Sequence, residues 1–292
     1  MNTGVHTGVH TGVNNAVEIR GLIKTYGETH AVAGVDLDVR TGEVFALLGP
    51  NGAGKTTTIE ILEGYRDRDG GTVSVLGEDP AKAGLSWRNK IGIVLQSNND
   101  AAEITVEEIL NFFSDYYVNP RNVDEVINAV GLEEKRKSRG RELSGGQRRR
   151  LDVALGILGN PELLFLDEPT TGFDPEARRA FWDLIRGLRA DGTTILLTTH
   201  YLDEAEALAD RVGVINNGRI VEVATPATLG GRDNAKVIVR WSEGGNMKEE
   251  RTDSPTELLR SLSARLAGEI PELTVSRPTL EDIYISMIEG EA

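Results

Sequence analysis

The segment that most constrains this chain of 292 residues is Gly49-Pro-Asn-Gly-Ala-Gly-Lys-Thr56, which has the pattern of a phosphate-binding loop. It follows the apolar run Val44–Leu48 and precedes a helical pattern, the context that the motif requires. Its glycines let backbone N–H groups turn toward phosphate oxygens, and the start of a helix adds partial positive charge. In such a loop Lys55 reaches the β- and γ-phosphates and the Thr56 hydroxyl ligates Mg²⁺. The alternative, a glycine-rich turn with a chance Lys-Thr pair, does not explain why strand, loop and helix agree.

Strand-like and helix-like patterns alternate between about Val17 and Thr225. Val35–Val39 alternates with period two, as a half-buried strand does. Phe181, Leu184, Ile185 and Leu188 form one apolar stripe at helical spacing. This alternation predicts an α/β domain with a mainly parallel sheet. Short apolar runs predict its buried strands at Val44–Leu48, Ile91–Leu95, Leu163–Leu166, Thr194–Thr198 and Val212–Ile215.

Two polar motifs lie next to predicted buried elements. Asp167 and Glu168 follow the run Leu163–Leu166, so a buried strand delivers two carboxylates rigidly to one end of the sheet. There Asp167 is placed to hold the shell of a Mg²⁺ ion, and Glu168 to orient or deprotonate an attacking water. Leu143-Ser-Gly-Gly-Gln147 precedes a predicted helix at Arg148–Leu158, where Ser144 can cap the helix and the glycines permit close backbone approach.

The two ends of the chain differ from its centre. Residues 2–13 repeat Thr-Gly-Val three times around His6 and His10, which predicts a disordered tail and not a metal site, since no further ligands lie nearby. Residues 242–292 hold 5 basic and 11 acidic residues. Ser254–Glu257 predicts a capping box before a stripe of Leu258, Leu262 and Leu266, and Thr279–Asp282 predicts a second helix start, with Ile283 and Met287 on one face. We expect a small α+β extension that contacts either a second copy or its own catalytic domain.

The composition excludes several classes of protein. Acidic residues outnumber basic ones by 46 to 32, a net charge of −14, which argues against general binding of nucleic acids or anionic membranes. The absence of cysteine removes disulfides, thiolate nucleophiles and iron–sulfur clusters. No apolar run approaches the roughly 18 to 20 residues that span a bilayer, and the first residues lack the order of a secretion signal. We expect the chain to stay in the cytosol unless a partner takes it to a membrane.

With these motifs in this order, residues 17–225 resemble the ATP-binding subunit of an ABC (ATP-binding cassette) transporter. The signature Leu143–Gln147, between the phosphate loop and the acidic strand, distinguishes that family from other phosphate-loop ATPases. The resemblance implies an α/β phosphate-loop ATPase cassette with a mainly parallel core sheet, antiparallel strands and a helical subdomain. Its ligands would be ATP and Mg²⁺. Together with the composition of the two ends, it predicts a disordered tail at 1–15, a nucleotide-binding domain at 16–225 with the helical subdomain at about 97–160, and an accessory domain at 226–292.

The resemblance also implies roles for individual residues. Glu168, His200 and Lys55 would be catalytic, with His200 sensing the γ-phosphate. The implied metal ligands are Thr56, Gln96 and Asp167. Tyr26 matches the aromatic that stacks on adenine, and Gly172-Phe-Asp174 matches a loop that contacts the opposite subunit. The full set of implied nucleotide contacts is Tyr26, Gly49, Asn51, Gly52, Ala53, Gly54, Lys55, Thr56, Thr57, Gln96, Ser144, Gly146, Gln147 and Asp174.

Two further segments narrow the resemblance. Thr198–Glu206 and Arg277–Asp282 look like the daunorubicin-type drug-resistance exporters, whose cassettes act with a separate membrane subunit and carry a C-terminal extension. This predicts an ATPase on the cytoplasmic face of the plasma membrane that pairs with itself or a homologous cassette and powers export of a small molecule such as a drug, antibiotic or lipid-like compound. The alternatives are an importer cassette, a soluble ABC ATPase without a transporter and an ATP-binding regulator without turnover.

Overall fold

The computed structural model describes residues 14–94, 103–266 and 268–289. Gln96 and the end of the predicted strand at Leu95 lie outside the described residues, as does the tail with His6 and His10. The strands are β1 Asn15–Tyr26, β2 Thr29–Arg40, β3 Val44–Leu48, β4 Gly70–Val75, β5 Ile91–Val94, β6 Leu163–Asp167, β7 Thr194–Thr199, β8 Arg211–Asn216, β9 Arg219–Ala224, β10 Val237–Glu243, β11 Asn246–Thr252 and β12 Thr274–Ser276. The helices are α1 Lys55–Leu62, α2 Leu85–Arg88, α3 Val106–Ser114, α4 Val123–Ala129, α5 Gly145–Leu158, α6 Pro175–Ala190, α7 Leu202–Leu208, α8 Pro255–Arg265 and α9 Leu280–Glu289.

A six-stranded sheet forms the centre of the molecule, in the order β5-β6-β7-β3-β8-β9. Neighbouring strands are parallel except β9, which pairs with β8 in the antiparallel sense. Every residue of β3, β6 and β7 is buried, as expected for strands covered on both faces. The predicted α/β class with a mainly parallel sheet is confirmed. Because parallel strands end at the same edge, the loops after β3, β6 and β7 meet there.

Two apolar cores cover the faces of this sheet. On one face the antiparallel sheet β2-β1-β4 packs through alternating side chains such as Val35, Leu37 and Val39. On the other face α3, α4, α5 and α6 contribute to a single core. In α6 the predicted stripe is confirmed, with Phe181, Ile185 and Leu188 buried. The site-forming loops are therefore fixed by a sheet that is packed on both sides.

The C-terminal extension has its own small sheet, in the order β11-β10-β12. Leu262 of α8 packs against Val239 and Trp241 of β10, with Leu258 and Leu266 beside them. The helix starts at Pro255 as predicted, but the Ser254 capping box is wrong: the side chain makes no cap hydrogen bond, and the backbone N–H of Ser254 donates to the Thr252 hydroxyl instead. Ser254 has φ −120° and ψ 65°, which departs from the extended conformation of an N-cap residue, so the side-chain motif alone did not determine the cap.

The last helix joins the extension to the larger core. The predicted helix start is confirmed, since Thr279 accepts from the N–H of Asp282 at 3.1 Å and donates its own N–H to the Asp282 carboxylate at 2.8 Å. Leu280 of α9 and Leu229 of the 3₁₀ turn Leu229–Asn234 are 1% and 0% exposed and belong to the core that contains α7. Arg232 adds an ion pair to this contact, with Glu206 of α7 at 2.8 Å. The sequence left open whether the extension contacts a second copy or its own catalytic domain. In the structure it packs against its own catalytic domain.

None of the helices in the described ranges combines the length and apolar character that crossing a bilayer requires.

Candidate nucleotide site

The phosphate loop connects the buried strand β3 to α1. Two of its glycines are required by close backbone approach. A Cβ at Gly49 would lie 2.4 Å from the carbonyl oxygen of Ile215, and one at Gly54 would lie 2.3 Å from that of Ala31. Gly54 also has a φ of 103°, which side-chain-bearing residues rarely adopt. The loop is therefore held in one shape by the strands around it, with the N-terminus of α1 at its end.

Lys55 is buried at the start of α1. Its ammonium group donates to the carbonyl oxygens of Gly49 at 2.8 Å and Pro50 at 3.2 Å, and it lies 3.4 Å from Glu168 Oε1. A buried cation is costly unless it is paired and hydrogen-bonded, and here both conditions are met. The loop thus carries a fixed positive charge at its mouth, where phosphate groups are bound in loops of this kind.

Asp167 ends β6 beside the loop. The Thr56 hydroxyl donates to its Oδ2 at 3.2 Å, and the Thr198 hydroxyl donates to its Oδ1 at 2.5 Å. A carboxylate and a hydroxyl are hard oxygen donors, the type that Mg²⁺ prefers, and this ion normally takes its other ligands from phosphate and water. The pair fits a magnesium ion bound together with a nucleotide. The third predicted ligand, Gln96, lies outside the described residues.

Glu168 stands between two basic groups. Its Oε1 is 3.4 Å from Lys55 Nζ and 3.2 Å from His200 Nδ1, although the His200 nitrogen lacks hydrogen-bond geometry. Its backbone N–H donates to the Thr198 hydroxyl at 3.0 Å. Glu168 has a φ of 44°, which is uncommon and strained for a residue other than glycine. The structure therefore brings Lys55, Thr56, Asp167, Glu168 and His200 together at one edge of the sheet.

Ser144 and Gln147 form the cap of α5. The Ser144 hydroxyl accepts from the N–H of Gln147 at 3.3 Å, and the Gln147 side chain accepts from the N–H of Ser144 at 3.0 Å. Ser144 is exposed, and Gly146 sits 3.4 Å, measured from an added Cβ, from Ala177 of α6. Gly146 and Gln147 are half-buried, and the cap hydrogen bonds of Ser144 and Gln147 do not join them to the phosphate loop.

Tyr26 and the segment Gly172–Asp174 lie at other points of the surface. Tyr26 ends β1 and is 43% exposed, with the Lys24 ammonium 5.6 Å and the Arg66 guanidinium 5.4 Å from its ring centre. Asp174 caps α6 by accepting from the N–H of Ala177 at 2.8 Å. Phe173 packs edge-on against Phe181 at 5.9 Å between ring centres, which anchors this loop to the core.

Three buried charged residues near the site were missed by sequence reasoning. Arg149 of α5 is 7% exposed, Glu204 of α7 is 0% exposed and Glu63 follows α1 at 9%. Burial raises the pKa of Glu204, and burial together with the Asp167 and Glu60 carboxylates raises the pKa of Glu63 to about 8. A signal for Arg149 did exist, because it lies four residues before the buried Val153 on the inner face of the helix.

Comparisons with known proteins agree with the family resemblance seen in the sequence. The family model described as ABC transporter matches residues 32–171. The chain is 41% identical over 296 residues to Nod factor export ATP-binding protein I of Burkholderia orbicola, covering 94% of this chain and 97% of that protein. It is 40% identical over 256 residues to the daunorubicin/doxorubicin resistance ATP-binding protein of Streptomyces peucetius, covering 86% of this chain and 76% of that protein. A solved ATP-binding subunit of an ABC transporter is 28% identical, with a TM-score of 0.66 over 73% of this chain and 91% of the other.

Proposed function

We propose the following mechanism from the premise that the chain belongs to the ABC transporter family of ATP-binding subunits. As a member it is an ATPase that binds ATP and ADP, dimerises and acts with a membrane subunit to power export. The mechanism rests on one observation: four side chains lie close together beside the phosphate loop, those of Lys55, Asp167, Glu168 and His200. The experiment that tests it is phosphate release from Mg-ATP by the purified chain, alone and with its membrane subunit.

Each residue at the sheet edge has a chemical task in this proposal. Lys55 and the loop N–H groups bind the β- and γ-phosphates, and Gly49 with residues 51–57 supplies those donors. Thr56 and Asp167 would hold Mg²⁺ together with Gln96, and the bound ion would supply neutralisation of phosphate charge. Glu168 orients the attacking water and accepts its proton, while His200 keeps the γ-phosphate in line. Positioning and charge stabilisation supply most of the rate.

The exposed cap of α5 completes the site from a second subunit. A triphosphate carries several negative charges, which need donors on more than one side. Ser144 is exposed at a helix N-terminus, with Gly146 and Gln147 half-buried beside it. Asp174 is exposed just before α6, so we propose that these residues contact ATP bound by the opposite copy. We propose that two copies, or this chain and a homologous cassette, enclose two ATP molecules between them.

An exposed aromatic cluster suggests where the membrane subunit binds. Phe112 and Tyr116 are 55% and 68% exposed, and their rings lie 5.5 Å apart at the C-terminal end of α3. Phe113 stands edge-on against Phe112 at 5.4 Å. Contiguous exposed aromatics mark interaction sites, and the partner that this family provides is a membrane protein. We assign this cluster to that contact, and we propose that the chain works at the cytoplasmic face of the plasma membrane.

The division of the chain is also part of the proposal. We propose a nucleotide-binding domain at 16–225 with its helical subdomain at about 97–160, and an accessory domain at 226–292. Both relatives described above are named for export or for drug resistance, which favours an exporter over an importer or a soluble ATPase. A small molecule of the drug, antibiotic or lipid-like class is the proposed cargo.

We expect Tyr26→Ala to weaken binding of ATP and ADP alike by about 1 to 3 kcal/mol, the scale of base–aromatic stacking. The reason is that both nucleotides carry the same base, while Tyr26 presents an accessible ring at the end of β1. Titration calorimetry with each nucleotide measures the effect. Tyr116→Ala, an exposed tyrosine of the α3 cluster, is the control and should bind both nucleotides normally. An effect confined to ATP would place Tyr26 near the γ-phosphate and contradict the assignment.

We expect Leu280→Ala to lower the free energy of unfolding by about 2 to 5 kcal/mol, because it leaves a cavity where α9 enters the large core. Leu273→Ala is the control: Leu273 is 38% exposed, so its truncation should cost far less. Urea titration of both variants compares the two losses. Equal, small losses would show that the extension is only loosely seated on the catalytic part.

A further inference from the structure

Arg149 of α5 is hydrogen-bonded to the turn that contains Glu168. Its Nε donates to the carbonyl oxygen of Pro169 at 3.0 Å, and its Nη2 donates to that of Asp167 at 3.1 Å. One buried guanidinium therefore binds the carbonyl oxygens on both sides of Glu168. The planar fork of arginine suits two acceptors at a fixed spacing, whereas a lysine ammonium is a single point charge.

The backbone at Glu168 needs such support. Its φ of 44° is a conformation that persists only where the surroundings over-determine it. The peptide unit before Glu168 is held at both ends, since its N–H donates to the Thr198 hydroxyl and its carbonyl oxygen accepts from Arg149. The carbonyl oxygen of Glu168 itself accepts from the N–H of Thr171 at 3.3 Å. The next residue, Pro169, has no N–H to contribute, but its carbonyl oxygen is the second one that Arg149 binds.

Keeping a cation at this place is unfavourable in itself. Burial lowers the pKa of Arg149, and the carboxylates of Asp152, Asp167 and Glu204 act in the opposite sense. An apolar residue would fill the same space without that desolvation, as replacements of buried ion pairs show. The positive charge is therefore explained by what it binds and not by packing alone.

We propose that Arg149 is a positioning residue that holds the Glu168 carboxylate in its working place. Because α5 begins at the exposed Ser144 cap, the Arg149 side chain ties that cap to the catalytic turn of its own subunit. If the binding of a second copy moves α5, the two hydrogen bonds from Arg149 to the turn transmit that movement to Glu168. This inference rests on the proposed function, in which Glu168 acts on the attacking water.

Arg149→Met and Arg149→Lys test the idea against Arg150→Met. Arg150 is the next residue of the same helix and donates to the carbonyl oxygen of Gly131, away from the turn. We expect Arg149→Met to lower kcat about 10- to 100-fold, since a displacement near 1 Å costs on that order. KM and ATP affinity should stay within about threefold, because the phosphate loop is untouched. Arg149→Lys should fall between the parent and Arg149→Met, and Arg150→Met should keep the parental kcat.

The double variant with Glu168→Gln separates positioning from other roles. If Arg149 acts through Glu168, adding Arg149→Met to Glu168→Gln produces little further loss, because the base is already gone. Losses that multiply would overturn the inference, as would a parental kcat in folded Arg149→Met. If Arg149→Met does not fold, as judged by urea titration, Arg149→Lys in both backgrounds decides by the same criterion. A Glu168→Gln chain with parental turnover would instead refute the proposed function itself.

Discussion

Glu168→Gln is expected to bind ATP as the parent chain does and to hydrolyse it about 10²- to 10⁴-fold more slowly, the usual scale for one acid–base group. The amide keeps the shape of the side chain but cannot accept the proton of water. Its neighbours Lys55 and His200, at 3.4 and 3.2 Å, remain to bind phosphate. ATP should then accumulate in a trapped dimer. Phosphate release and retained nucleotide are the two measurements.

The control for this variant is Glu162→Gln, which changes an exposed glutamate just before β6. It removes the same charge from the same strand region, far from the sheet edge that holds the loop. Its turnover should equal that of the parent. Hydrolysis by Glu168→Gln at close to the parental rate would show that another group accepts the proton.

Ser144→Arg is expected to abolish ATP-driven dimerisation while leaving ATP binding by the single subunit unchanged. The physical reason is bulk and charge at an outward-facing cap that we assign to the opposite subunit's ATP. Light scattering with Mg-ATP, in the Glu168→Gln background, measures the dimer. The change also removes a helix cap, worth about 0.5 to 2 kcal/mol of stability.

Asn122→Ala controls for that loss. Asn122 caps α4 by accepting from the N–H groups of Asp124 and Glu125, so the variant removes a cap elsewhere in the molecule. It should be destabilised to a similar degree and still dimerise. A Ser144→Arg chain that forms the dimer as readily as Asn122→Ala would refute the arrangement in trans.

Local patterns were sufficient to predict the centre of the fold. Apolar runs of strand length, such as Val44–Leu48 and Leu163–Leu166, form fully buried parallel strands, and the stripe of α6 faces the core. The residues that follow these strands converge because parallel strands end together, so the grouping of Lys55, Asp167 and Glu168 followed from chain order.

Features that depend on distant partners could not be predicted in the same way. Arg149 lies in a run of three arginines, and although its helical position before Val153 indicates the inner face, the carbonyl oxygens that it binds lie in a turn 18 and 20 residues away. Ser254 has the right spacing for a capping box, but a nearby threonine takes its backbone donor. Glu204 is buried against groups from other elements, which no periodicity in α7 encodes.

The packing of α9 against the large core is completed only late in translation. Every residue assigned to ATP has been made by His200, yet Leu280, which closes the core around Leu229, is made about 80 residues later. At the usual 5 to 20 residues per second, the wait lasts roughly 4 to 16 seconds. A nascent chain released during that interval keeps an uncovered apolar surface, the feature that chaperones and proteases act on.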